Sequence, residues 1–301
     1  MTTNPRIPFQ MASDRRPLPA PDGKPLIVQV VVNVENWRFD QPMPRKLITA
    51  PHGADSVPDV PNFAWAEYGM RVGMPRLLQV LGDRGVPVGC TMNAGVVSTY
   101  PRLSEAILEA GWEIIGHGLH QKALTGEASE AELIARALKI LRDFTGTPVQ
   151  GWLGPGLRET HDTPEHLKAN GIRYVSDWVL DDMPCWMTTR HGPLIAMPYS
   201  LEINDSPLHA IQAQPSDEML VRTRRSVAVL AREAEATGGA RVLTVALHPH
   251  LMGVPHRIDT VAEVIDLLMA RDDTVFMTGA AIADWYAAVE PAEVQLGLHI
   301  A

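Results

Sequence analysis

The sequence predicts one large α/β domain built from repeated strand–helix units. Short β-branched apolar runs alternate along the chain with amphipathic stretches, which is typical of strands followed by helices. The 301 residues are 46% hydrophobic and 20% charged, values that suit one large core better than two independent ones. Polar residues recur directly behind the strand-like runs, where α/β enzymes carry their functional side chains.

Each predicted strand is a short apolar run that ends at polar or turn-forming residues. In chain order the clearest strands are 26–34, 86–92, 112–115, 172–175, 194–198, 241–247 and 274–277. A helix is predicted behind Ser129, because Ile134, Leu138 and Leu141 recur at helical spacing and Gly146 ends the pattern. The other predicted helices are 74–84, 103–110, 164–170, 217–236 and 260–270.

Three segments lie outside this alternation. Residues 1–25 are polar and proline-rich, so we expect an N-terminal arm that embraces a neighbouring subunit of a homo-oligomer. The catalytic domain is predicted over 26–290, followed by a C-terminal tail, 291–301. The proline-rich stretch 37–63 is too long for a simple connection and is expected to be a lid or an oligomer contact.

Composition limits the partners and the compartment. The chain has 26 Lys+Arg against 35 Asp+Glu and no basic stripe, which argues against binding to nucleic acid or an anionic membrane surface. No apolar run approaches the ~20 residues of a membrane span, and the N-terminus lacks the pattern of an export signal. Cys90 and Cys185 lie far apart and form no disulfide framework. We therefore expect a cytoplasmic protein that acts on a small molecule.

The residues that carry chemistry follow three of the predicted strands. Glu35 and Asn36 follow the first strand, His117 follows the strand at 112–115, and His248 follows the strand at 241–247. A carboxylate and a histidine at neighbouring strand ends can share one water molecule. A single strand-end histidine is ordinarily a buried structural residue, so the functional interpretation depends on the combination.

Six segments in the same order resemble the polysaccharide deacetylase (NodB-homology) superfamily, from about Leu26 to Trp285. Within it, the chain looks like the branch of cofactor-independent allantoinases and related cyclic-amide hydrolases. The segments are 67–73 (EYGMRVG), 116–118 (GHG), 151–152 (GW), 176–186, 197–205 (MPYSLEIND) and 247–257. The resemblance implies a distorted (β/α)7 barrel, similar to a TIM barrel, and hydrolysis of a carbon–nitrogen amide bond.

The sequence departs from the superfamily at its metal ligands. Metal-dependent members carry Asp-Asp behind the first strand and His-x-x-x-His later, whereas this chain has Glu35-Asn36 and His117…Gln121. Amide oxygens are poor zinc ligands beside imidazole, thiolate and carboxylate. We therefore expect no tightly bound cofactor. A zinc ion held by Glu35, His117 and His120 is the alternative.

The resemblance implies a role for each catalytic candidate. Glu35 is the general base that activates water, and His248 is the acid that protonates the leaving nitrogen. His117 hydrogen-bonds the water or the carbonyl oxygen, and Arg158 orients Glu35 or Asp177. A competing interpretation is that Glu35 forms a salt bridge with Arg71 or Arg76 at the rim.

Further residues near the strand ends are expected to contact the substrate. These are Asn36, Trp152, Asp177, Trp186, Asn204 and His250. The tryptophans can equally be core residues, and the sequence leaves both roles open.

The favoured function is the ring opening of a cyclic amide such as a ureide, hydantoin or imide, because a polysaccharide needs an open groove and usually an export signal. A metal-dependent deacetylase of an N-acetylated sugar or amine is the first alternative. A non-catalytic binding barrel is the second.

Overall fold

The computed structural model describes residues 3–50, 55–124 and 129–296, and a curled sheet lies at its centre. The strands in these ranges are β1 Leu26–Val34, β2 Val88–Met92, β3 Glu113–Gly116, β4 Gly151–Trp152, β5 Tyr174–Val175, β6 Cys185–Met187, β7 Leu194–Ala196, β8 Arg241–Leu247 and β9 Thr274–Phe276. They form one sheet in the order β6-β7-β5-β4-β3-β2-β1-β8, and β9 pairs with the start of β1.

Strand β1 is the centre of the sheet, and all nine of its residues are buried. It pairs in parallel with β8 along 26–32, with β2 along 30–34 and with β9 along 26–28. The chain behind β7 returns to β8 through a parallel bridge between Asn204 and Ala246. The sheet therefore curls into an irregular half-barrel, as the resemblance implied. Strand β6 runs antiparallel to β7.

Helices cover the outside of the curled sheet. Within the described ranges they are α1 Val60–Tyr68, α2 Met74–Gly82, α3 Gly95–Thr99, α4 Pro101–Glu109, α5 Glu130–Thr145, α6 Thr163–Ala169, α7 Glu218–Thr237, α8 Pro249–Met252, α9 Ile258–Met269, α10 Gly279–Val289 and α11 Ala292–Leu296. The longer helices bury one apolar face each, as α5 does with Ile134, Leu138 and Leu141. In the part of the chain that is described, no helix is long and apolar enough to cross a membrane.

The long strands were predicted with their bounds, and some of the short elements were missed. Strands β1 and β8 have the predicted bounds, because both are long and predominantly apolar. The two-residue strand β4 and the strand β6 were missed, since two or three residues carry no periodicity. Helix α1 begins inside the stretch that was predicted as loop, and α10 was also missed.

Part of the N-terminal arm packs against its own chain, and the expectation that the arm embraces a neighbouring subunit stays a prediction. Arg6 forms a buried ion pair with Glu165, and Arg15 forms an ion pair with Asp181. Leu18 is buried, and its carbonyl accepts a hydrogen bond from the backbone N–H of Ala240. Some side chains of the arm therefore have partners within this subunit, whereas Phe9 and Met11 are exposed.

Glycines allow the segment between α1 and α2 to touch the turn behind β8. Residues Gly69–Gly73 form a π-helical turn that joins the two helices. A Cβ atom on Gly69 would lie 2.5 Å from the backbone nitrogen of His250, and one on Gly73 would lie 2.2 Å from the carbonyl oxygen of Pro249. No side chain fits at these distances, so the Gly-Met-Arg-Val-Gly segment fixes the position of α8.

Replacement of Gly73 by alanine is expected to lower the free energy of unfolding by about 1–3 kcal/mol, because the new methyl group must displace the backbone of Pro249. Gly82→Ala is the matched control, since a Cβ atom there meets nothing within 4 Å. Urea unfolding of both variants measures the difference. Equal stability of the two variants would contradict the close contact.

Candidate active site

The carboxyl ends of β1, β3 and β8 open into a cavity of about 960 Å³. Glu35 follows β1, His117 follows β3 and His248 follows β8, and all three side chains line the cavity. Strand β2 lies between β1 and β3, so the first two residues do not follow neighbouring strands as predicted. Their side chains nevertheless meet across the end of β2.

Glu35 is buried and has partners on both carboxylate oxygens. The indole N–H of Trp37 donates a hydrogen bond to Oε2 at 2.7 Å. Oε1 lies 3.5 Å from Nε2 of His248 and 3.9 Å from Nε2 of His117. Burial, the largest influence, would raise the pKa of Glu35, but the contact with His248 and the charge of His248 hold the pKa well below the usual value. Glu35 is therefore an ionised carboxylate at neutral pH.

The competing interpretation of Glu35 as a rim salt bridge is not supported by the contacts. Arg71 pairs with Glu67 instead. Arg76 donates to the hydroxyl of Tyr68 and to the carbonyl of Gly253. Glu35 faces the two histidines.

His248 is held by the buried carboxylate of Asp205. Its Nδ1 lies 2.6 Å from Oδ1 of Asp205, and its backbone N–H donates to the other carboxylate oxygen. Burial lowers the pKa of His248, but Asp205 and Glu35 outweigh burial and raise the pKa to about 10. His248 is therefore an imidazolium at neutral pH, and its Nε2–H points towards Glu35.

His117 turns Nε2 towards the cavity. Its Nδ1 lies 2.5 Å from the carbonyl oxygen of Leu153, which can only accept, so Nδ1 carries a proton, and in a ring with one proton Nε2 is the acceptor. Nε2 is buried and has no hydrogen-bond partner among the described residues. Asn93 behind β2 ties the site together, since it accepts from the backbone of Asn36 and donates to the carbonyl of His117.

His250 forms an uncharged part of the wall. Its ring makes edge-to-face contacts with the indoles of Trp37 and Trp65, whose ring centroids lie 5.5 and 4.6 Å from its own. Burial and the nearby charge of His248 lower its pKa to about 3. The two histidines of the His-Pro-His turn thus have opposite electrostatic roles.

Three of the predicted substrate contacts line the cavity and three do not. Asn36, Asn204 and His250 lie on the wall. Trp152 is fully buried in the core, where its ring packs against Gly116. Trp186 is also buried, and its indole N–H donates to the carbonyl of Glu290.

Asp177, the remaining residue of this predicted set, serves the backbone. Both of its oxygens accept from the N–H of Gly154. Burial and the neighbouring Glu159 raise its pKa well above the usual value. Asp177 is not among the residues that line the cavity, and the contact with substrate stays a prediction.

Arg158 does not make the contact predicted for it. Its side chain is exposed and lines the cavity, and it forms no hydrogen bond or ion pair with Glu35, Asp177 or any other described residue. Trp37 orients Glu35 instead. The sequence placed Trp37 only two residues away, but nothing in the pattern indicated that its indole turns back.

The side chains around Glu35 differ from the metal ligands of the metal-dependent deacetylases that the sequence resembles. Among the described residues no group of three His, Cys, Asp or Glu has a metal-binding arrangement, so the alternative set of Glu35, His117 and His120 is not assembled. Asn36 offers an amide where metal-dependent relatives offer a carboxylate, and its Nδ2 donates to the hydroxyl of Thr99. These residues do not fit a tight zinc site.

The curled sheet and its strand-end residues resemble those of polysaccharide deacetylase (NodB) domains, and part of the chain matches that family. Residues 66–175 match the family model described as polysaccharide deacetylase. The chain is 24% identical to the peptidoglycan deacetylase of Helicobacter pylori over 155 residues, which cover 51% of this chain and 52% of that relative. The aligned region thus spans about half the length of the Helicobacter protein.

Two solved structures share the fold over nearly the whole chain. A probable polysaccharide deacetylase from Pseudomonas aeruginosa PAO1 has a TM-score of 0.83 at 24% identity and covers 93% of this chain and 97% of its own. PuuE allantoinase has a TM-score of 0.81 at 23% identity, with the same coverage. The fold and the family resemblance predicted from the sequence are confirmed.

Replacement of Asp205 by asparagine is expected to lower the pKa of His248 from about 10, because the carboxylate that stabilises the imidazolium is lost. In the wild type the His248 ring should stay protonated until the pH rises through about 10; in the variant it should lose its proton at lower pH. Nitrogen-15 NMR of histidine-labelled protein measures both titrations. His250 is the internal control, since its pKa of about 3 keeps it neutral throughout. An unchanged His248 titration would refute this role of Asp205.

Proposed function

We propose that the protein is a hydrolase that opens a small cyclic amide by general base and general acid catalysis without a tightly bound metal. The observation that carries this proposal is the alignment of an ionised Glu35 between the lone pair of His117 and the imidazolium of His248 at the base of one cavity. A base for water and an acid for the leaving nitrogen are the two groups that amide hydrolysis needs.

Water fits beside Glu35 and His117. Atoms 3.9 Å apart can both accept hydrogen bonds from one water that lies about 2.8 Å from each. The water then donates both hydrogens and keeps its lone pairs free for attack. The lone pair on His117 Nε2 would repel a carbonyl oxygen, so this contact favours the water among the two partners predicted for His117.

The reaction balances with these groups. Glu35 takes a proton from the water as its oxygen bonds to the amide carbon. His248, held as an imidazolium by Asp205, donates its Nε2 proton to the ring nitrogen as the carbon–nitrogen bond breaks. The products are a new carboxyl group and the freed nitrogen. The proton on Glu35 returns to His248, whose Nε2 lies 3.5 Å away.

The walls of the cavity favour a small ring over a polymer. Residues 37–45 supply one side through Trp37, Pro42 and Pro44, and the turn at Pro155 supplies another. The neutral imidazole of His250 and the indole of Trp37 offer aromatic surface to a flat heterocycle. The likeness to PuuE allantoinase supports the same substrate class.

A metal-dependent deacetylase is the second candidate. Nε2 of His117 and Nδ1 of His120 are buried and lack hydrogen-bond partners among the described residues, as is expected of metal ligands without their metal.

The cytoplasmic location, the homo-oligomeric state and the closing motion of 37–63 remain predictions.

Glu35→Gln is expected to lower the kcat for allantoin or hydantoin by a factor of about 10² or more, because the amide cannot accept the proton of water. Glu202→Gln is the control, since Glu202 is exposed and its side chain bonds only Ser200 among the described residues. Unfolding curves verify that both variants fold. Near-normal turnover by Glu35→Gln would rule out Glu35 as the base.

Removal of metals tests the two candidate functions against each other. Elemental analysis is combined with hydrolysis of allantoin, hydantoin, succinimide and an N-acetylated sugar, before and after chelation. We expect ring opening that chelation leaves unchanged, with negligible bound metal. A near-stoichiometric ion whose removal abolishes deacetylation would favour the metal-dependent candidate, and binding of these compounds without turnover would favour a binding barrel.

A further inference from the structure

Several basic side chains line the cavity, although the chain as a whole is acidic. The protein has 35 Asp+Glu against 26 Lys+Arg. The cavity reverses this ratio: Arg38, Arg45, Lys122 and Arg158 line it, and Glu35 is the one carboxylate among the described lining residues. A surface that carried the average charge of this chain would have the opposite sign.

Internal pairing accounts for part of this charge but not for all of it. Glu35 is balanced by the His248 imidazolium. Arg38 forms two hydrogen bonds to Asp40, at 2.9 and 2.6 Å. Arg45 and Arg158 form no hydrogen bond or ion pair with any described residue. Arg45 and Arg158 therefore line the cavity without a partner for their N–H donors among the described residues.

Arg45 lies close to the catalytic groups. Its side chain is half-buried, and the segment that carries it forms the cavity wall next to Trp37. Burial is the largest cause of the low pKa of His250, the charge of His248 adds to it, and the charge of Arg45 adds further. Arg45 is thus electrostatically coupled to an imidazole that contacts His248.

Arg158 belongs to a different segment that lines the same cavity. It follows the turn Pro155–Leu157, in which Gly156 and Leu157 adopt positive φ angles. The turn is supported from behind by Asp177, which binds the backbone of Gly154. Guanidinium groups on both segments give the cavity more than one contact for an anion.

The cavity also has room for more than a bare ring. Its volume of about 960 Å³ lies near the upper end of the roughly 300–1,000 Å³ of pockets for drug-sized ligands. A five-membered cyclic amide at Glu35 leaves most of this space to a substituent.

We propose that the substrate is a cyclic amide with an anionic substituent, a carboxylate in the simplest case, which Arg45 and Arg158 bind while the ring carbonyl meets Glu35. This inference rests on the proposed function. It narrows the substrate class from cyclic amides in general to those with an anionic substituent. Guanidinium groups suit this task because their planar N–H donors match a carboxylate in two-pronged hydrogen bonds.

The test compares hydantoin-5-acetate with hydantoin-5-acetamide. The two compounds have nearly the same shape, and only the first carries a negative charge on its substituent. The wild type should open the acid with a kcat/KM about tenfold higher than the amide, the gain expected of one charge-assisted contact. Arg45→Gln and Arg158→Gln should each reduce this ratio, and the double variant should bring it close to one. Arg224→Gln on the exposed face of α7 is the charge-matched control and should keep the wild-type ratio.

A ratio near one in the wild type, or a ratio that the double variant retains, would overturn the inference. Binding to the Glu35→Gln variant, measured by calorimetry, separates it from the proposed function. If the wild type opens neither ring, the proposed function fails. Tighter binding of the acid that depends on the two arginines would then still support the anion site, and equal binding of both rings would refute it.

Discussion

The buried contact between Asp205 and His248 determines the charge of the groups that meet at the centre of the cavity. Asp205 raises the pKa of His248, the His248 imidazolium in turn lowers that of Glu35, and the same positive charge helps to keep His250 neutral. Isolated charges at this depth would cost several kcal/mol each, whereas alternating charges that contact one another offset much of that cost. The chemistry proposed for the site therefore depends on a carboxylate that does not line the cavity.

Backbone packing holds this chain of charges in place. His248 ends β8 and Glu35 ends β1, and the long parallel pairing of these strands fixes the spacing between the two residues. The glycines at 69 and 73 let the helical segment in front of α2 press directly on the turn that contains His250. Asn93 joins the loops that carry Glu35 and His117. Glycines permit these close backbone contacts because a Cβ atom would collide with the turn behind β8.

The proposed function and the proposed anion site use separate parts of the same cavity. Glu35, His117 and His248 lie at the strand ends, where the pairing of the strands sets their relative positions. Arg45 and Arg158 lie on the connecting segments, where loops and turns vary most readily in related proteins. A rigid set of reacting groups under an adaptable wall permits one reaction to be directed at different amides.

The sequence by itself predicted the longer strands and the residues that we propose to react. The mainly apolar runs of β1 and β8 determined the bounds of both strands, because parallel strands that are buried on both faces consist largely of apolar residues. The order of the motifs gave Glu35, His117 and His248, since residues behind parallel strands meet at one edge. The two-residue strand β4 was beyond such reasoning, and so was the burial of Trp152 within it.

Only the tertiary structure decided which side chains support the site. Trp37 rather than Arg158 holds Glu35, Asp205 holds His248 from a segment 43 residues earlier in the chain, and Asp177 serves a backbone turn. The physical reason is that hydrogen bonds and pKa values depend on distances of a few ångströms between residues far apart in sequence. Periodicity and motif spacing indicate where a strand lies and which residues follow it, but they carry no information about such distances.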